Sequence, residues 1–218
     1  MKKLITAAAL LVSAFTFAQK EGSVTYVMTM EGLPPEQAAM MGDMETKIYY
    51  KDKKTYTEMN SMMYSYKILN DDKGQLFLMD QMGNKFFTRT TKEELEKMAE
   101  ATKDKDPKIE YTNETKTIAG YECKKAIVTS TGKEGEMKTD VWYSEKVPYV
   151  SQGGGRKGGE MFKGLKGMPL EFSIKQGPYN VKMSAKEISF DKVSDSVFAL
   201  STDGYTEKKM DDLKKGGQ

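Results

Sequence analysis

The chain has 218 residues, with 34 basic and 32 acidic side chains, 17 methionines, one cysteine and no histidine. That inventory excludes a Cys/His zinc site, a histidine-based triad, a facial iron triad and an internal disulfide. A mean hydropathy of −0.63 suits a water-exposed chain, and its length suits one domain or two.

Residues 1–18 read as a secretory signal peptide. Lys2 and Lys3 precede an apolar stretch from Leu4 to Phe17, and Thr16-Phe17-Ala18 offers small residues at the −3 and −1 positions before Gln19. The stretch is too short to span a bilayer, and no cysteine follows it to carry a lipid anchor. The expected location is therefore the periplasm, without an anchor. No later run holds eighteen apolar residues, so no integral membrane segment is expected in the mature chain. Removing Met1 to Ala18 takes away two lysines and no acid, which leaves the remainder formally neutral. The sequence pI of about 8.3 thus gives no case for nucleic-acid binding, and no basic run with interleaved aromatics supplies one.

Period-two alternation then dominates. Val24, Tyr26, Met28 and Met30 share one face of a first strand; Thr46, Ile48 and Tyr50 share one face of another. Tyr64, Tyr66 and Ile68 alternate with Ser65, Lys67 and Leu69. Further strands are predicted near 75–80, 85–90, 108–117, 121–131, 137–145, 168–176 and 179–190. Turn signals fall at Asp52-Lys53, Asn70 to Gly74, Met82-Gly83-Asn84 and Gly132 to Gly135. About eleven strands joined mostly as hairpins, each with one wetter face, describe a mainly β protein built on an antiparallel sheet.

Two segments break this pattern. Residues 91–103 are predicted helical, with Thr91 as N-cap and Glu94 completing a capping box, and Leu95, Met98 and Ala99 as a narrow apolar stripe. Residues 34–44 are read as a short helix opened by Pro34 and Pro35, with Met40, Met41 and Met44 on one face, lying over the sheet end as a lid. Residues 152–159 read as a flexible glycine-rich loop and 207–218 as a flexible tail. One domain over 19–206 is expected.

Candidate chemistry is sparse. Gly153, Gly155 and Gly158 spell a dinucleotide motif by letter, but Pro148 spoils the preceding strand and Gly158-Gly159 spoils the helix start. Cys123 shares a strand face with Tyr121 and Ile127, which favours a buried small hydrophobe over a reactive thiol; pairing between chains stays open. The methionines could bind Cu(I) as soft thioether ligands, yet many fall on apolar strand faces, where Met serves as adaptable filling. No paired carboxylates, calcium loop or other metal-ligand set stands out, and no cofactor is expected.

The segment Thr117 to Ala126, followed by Val141-Trp142-Tyr143-Ser144-Glu145, resembles an exported Gram-negative family known as domain of unknown function 4412. Gly167-Met168-Pro169-Leu170 and the ending Val193 to Leu200 with Gly204-Tyr205 fit the same pattern. More distantly, the layout is similar to the periplasmic lipoprotein carriers of the LolA and LppX type. That resemblance implies a curved sheet forming a half-open barrel, short helices as lids and an apolar cavity for acyl chains. The carriers' key arginine has no matching motif here, where Arg89 and Arg156 are the only arginines. The expectation is a non-enzymatic envelope protein binding a lipid or lipoprotein acyl chain, lined by Met28, Met40, Tyr64 and Tyr66. A ligand-free structural module and a Met-based copper protein are the alternatives.

Overall fold

The computed structural model describes residues 20–209, apart from 35, 37–43, 62–63, 101–105, 133–134, 152–160 and 177–178. The strands are β1 (Glu21–Glu31), β2 (Met44–Lys51), β3 (Lys54–Asn60), β4 (Tyr64–Asp71), β5 (Gly74–Gln81) and β6 (Asn84–Thr91). After helix α1 (Lys92–Glu100) come β7 (Lys108–Ile118), β8 (Tyr121–Gly132), β9 (Gly135–Ser144), β10 (Met168–Gln176) and β11 (Tyr179–Ser189). A 3-10 turn (Asp195–Phe198) and the two-residue β12 (Thr206–Glu207) follow.

All twelve strands form one sheet in the order β12-β6-β5-β4-β3-β2-β1-β11-β10-β9-β8-β7. It is curved and does not close, since β12 and β7 are its two edges. Every pairing is antiparallel except β12 on β6. The sequence pattern missed β3, whose Tyr56 and Thr57 are both buried, so its two faces do not divide into wet and dry.

Tight turns set the register. Met82-Gly83 and Ala119-Gly120 are two-residue connections with positive φ at both positions (51° and 88°; 48° and 81°), a geometry that matches the twist of the flanking strands. Bulges between Thr25 and Tyr26, Pro169 and Glu171, and Tyr111 and Thr115 add local bend and twist.

The main core lies on the inner face of β1 and β8–β11. Val24, Tyr26, Ala126, Val141, Phe172 and Met183 are buried there beneath the connection from β9 to β10, which supplies Val147, Val150, Met161, Phe162 and Leu165. Phe162 meets Phe172 edge-on at 4.7 Å between ring centroids, and the Tyr26 hydroxyl donates to the Pro169 carbonyl at 2.7 Å. The ends of this connection are thus a packed apolar cover. Its glycine-rich centre, expected as a flexible loop, lies outside the described residues.

A smaller core lies on the outer face. Val193 and Phe198 pack on Tyr56 and Leu69, with Tyr49, Leu76, Val197 and Leu200 around them. Lys51 secures this closing segment by donating to the Val193 carbonyl at 3.0 Å and pairing with Asp195 at 2.9 Å. The backbone N–H of Lys208 then donates to the Phe87 carbonyl, so docked chain continues past residue 206, where the tail was expected to begin.

The capping box of α1 is present: Glu94 N–H donates to Thr91 Oγ1 at 3.2 Å, and Thr91 N–H donates to a Glu94 carboxylate oxygen at 2.8 Å. No residue of α1 is buried, and Met98 is 44% exposed. The expected 34–44 helix falls largely outside the described residues. Its last member, Met44, opens β2 instead, because its backbone joins the ladder opposite Met28.

Candidate ligand-binding face

Strand pairs place directly opposed residues on one face, so the register can be read as rows across β1–β6. One inner row runs Gly22, Tyr50, Thr55, Asn70, Gln75, Thr90; the next Val24, Ile48, Thr57, Ile68, Phe77, Thr88. The third runs Tyr26, Thr46, Met59, Tyr66, Met79, Phe86, and a fourth includes Met28, Met44, Tyr64, Gln81 and Asn84. None of these residues is charged. The outer rows of the same strands carry Glu45, Lys47, Lys51, Glu58, Lys67, Asp80, Lys85 and Arg89.

The first row is a polar ladder: Asn70 Nδ2 donates to Thr55 Oγ1 at 3.0 Å, and Gln75 Nε2 donates to Asn70 Oδ1 at 2.9 Å. The two middle rows are apolar and aromatic, relieved only by threonine and tyrosine hydroxyls. Met44, Met59 and Ile68 are buried, whereas Tyr66, Phe77, Met79 and Phe86 are half-buried. Of the inner face of β2–β6, only Ile48 and Tyr50 belong to the main packed core.

Three of the expected lining residues share this face. Tyr64 and Tyr66 are neighbours on β4, and Met28 lies three strands away, roughly 14 Å along the sheet. Met44 bridges the gap: it opposes Met28, and its sulfur accepts from the Tyr64 hydroxyl at 4.0 Å. Met40 lies outside the described residues. Sequence reading missed Met59 because it missed β3; it also passed over Met79 and Phe86, whose places beside Tyr66 follow only from hairpin register.

Three phenols of this face, Tyr50, Tyr64 and Tyr66, are held neutral. Burial pushes the Tyr64 and Tyr66 pKa values up, and for Tyr66 the neighbouring Thr46 hydroxyl works the other way without reversing the shift. Tyr50 is pushed up to about 12 by burial, with Tyr121 adding to it. Among the described residues, three hydroxyls have no hydrogen-bond partner although their oxygens are buried: Thr46, Tyr50 and Thr88. Thr46 lies near Tyr66 without meeting the geometry of a made bond.

Elsewhere the chemistry is structural. Cys123 is fully buried, its thiol 3.4 Å from the Tyr121 carbonyl and pushed up by burial, so pairing between folded chains is sterically closed. Arg89 is exposed and sits over the Phe87 ring. Among the described residues no group of three or more Cys, Asp or Glu side chains is set to hold a metal ion, and no helix is long and apolar enough to cross a membrane.

The fold and this face define a class: an open, mainly β sheet with an uncharged inner surface on one half and a packed core on the other. No family model matches the chain, including any for the family suggested by Thr117 to Ala126, and no curated protein matches it. Among solved structures it is similar to PNGF-II in a C2 crystal form, at 17% identity and a TM-score of 0.48, over 89% of this chain and 32% of that one. It therefore spans about a third of PNGF-II. It is also similar to the lipoprotein LppX of Mycobacterium tuberculosis, at 9% identity and a TM-score of 0.34, over 81% of this chain and 91% of that one. LprF from Mycobacterium bovis gives 12% identity and a TM-score of 0.38, over 81% and 90%.

Proposed function

We propose that this chain is an exported, periplasmic, non-enzymatic protein that holds a hydrophobic ligand, a lipid or a lipoprotein acyl chain, against the inner face of β2–β6. The observation that carries this reading is the charge-free surface of methionine and aromatic side chains, set apart from the main core. Flexible thioethers adapt to an acyl chain of variable shape, and an open sheet leaves such a chain an entry. Met28, Tyr64 and Tyr66, with Met44, Met59 and Met79, are the proposed lining, and Met40 is retained from the sequence. These rows carry no acidic, basic or cysteine side chain, and their Tyr50, Tyr64 and Tyr66 phenols have raised pKa values, which supports binding over catalysis.

Organic extraction of protein purified from the periplasm, followed by mass spectrometry, is expected to yield acyl lipid. The extracted protein is expected to take up Nile red saturably. A protein free of lipid that also ignores Nile red would make a packed structural module the better reading.

A further inference from the structure

The hydroxyl of Thr88 has no hydrogen-bond partner, and the residue is only 1% exposed. Leaving such a group unpaired costs stability, and valine would fill the same strand position with good β-forming character and no hydroxyl to satisfy. Thr88 therefore gains nothing from its oxygen within the chain itself. It opposes Phe77 and lies two residues from Phe86, and these two rings are tilted against each other with centroids 6.3 Å apart. Both rings are half-buried, so this part of the inner face is in reach of solvent beside Thr88. Around this point the inner rows offer hydroxyls, the Asn70 and Gln75 amides, thioethers and hydrocarbon but no lysine or arginine.

We propose that the ligand is an uncharged amphiphile, such as an acylglycerol, whose hydroxyl or ester group pairs with Thr88, and that lipids bearing a carboxylate are rejected. This rests on the lipid-binding reading above. A hydroxyl can donate to an ester carbonyl or accept from a glycerol hydroxyl, so it suits a neutral polar group. A carboxylate brought to the same place loses its water and finds no cation, a heavy cost for a buried charge.

The test uses the full mature chain, stripped of lipid, with displacement of Nile red by monolauroylglycerol or by laurate at pH 8. The two competitors share an acyl length and differ in charge. Monolauroylglycerol is expected to displace the dye at a concentration at least about tenfold lower than laurate. Thr88→Val is expected to weaken monolauroylglycerol about three- to tenfold and to leave laurate unchanged. The same substitution should leave the melting temperature of the ligand-free protein equal or higher, since it removes an unpaired hydroxyl. Laurate binding as tightly as the glyceride, or Thr88→Val binding the glyceride like wild type, overturns the proposal and leaves lipid binding standing. Failure of both competitors and of the dye overturns both.

Discussion

Single residues carry more of this architecture than their chemistry suggests. Gly167 stands where β10 begins, and a Cβ there would come within 2.1 Å of the Ser144 carbonyl oxygen and 2.8 Å of the Glu145 nitrogen. Both are backbone atoms and cannot step aside. Gly167→Ala should therefore cost about 2 kcal/mol, read as a lower thermal midpoint. Glu171 is the charged centre of the outer face, accepting from Lys116 at 2.6 Å and Ser184 at 3.2 Å with Lys182 at 3.4 Å. Burial pushes its carboxyl up, but Lys116, Lys182 and Ser184 outweigh burial and hold the pKa below the usual glutamate range. A depressed carboxyl pKa stabilises the fold above the unfolded pKa and loses that contribution as pH falls through the folded value. Glu171→Gln should thus lower the thermal midpoint at pH 7, with the gap to wild type closing as the pH approaches 3. A gap independent of pH would mean the cluster acts by packing alone.

At the scale of elements, the closing segment over 193–200 does the work of a second layer on the outer face. Phe198 is buried against Tyr56 and Leu69. Phe198→Ala should cost about 3 kcal/mol, a fall of roughly 6–12 °C in a chain of this size. Monolauroylglycerol affinity should be unchanged, because this packing lies on the face opposite Thr88 and Tyr66. Much of this was legible beforehand. Alternation sorted Tyr64, Tyr66 and Ile68 from Lys67, and Thr91 with Glu94 announced α1, because strand faces and helix caps are local patterns. The cover over the main core was not legible: Val147, Val150, Met161, Phe162 and Leu165 follow no period, and Pro148 with the glycines between them signals a loop. Nor does any pattern in the sequence reveal that Thr88 lacks a partner while Thr55 has one, since that depends on what each strand brings alongside.

For the molecule as a whole, the sheet is two hairpin runs, β2 to β6 and β7 to β11, joined through β1. Each run is assembled from neighbours in sequence, so its strands were visible one by one, β3 excepted. The seam was not, because Ser23 to Glu31 pairs with Asn180 to Ser189, far along the chain. The seam also divides the molecule: one run has its inner face filled by the connection from β9 to β10, and the other presents uncharged inner rows. It carries a further consequence in time. The first strand to be made acquires one neighbour early, in β2, but its other side stays bare until residues 179–189 exist. Loop closure over so long a span is slow, and topologies dominated by such pairings fold late. Until β11 is made, the hairpins of the two runs have no common seam to join them.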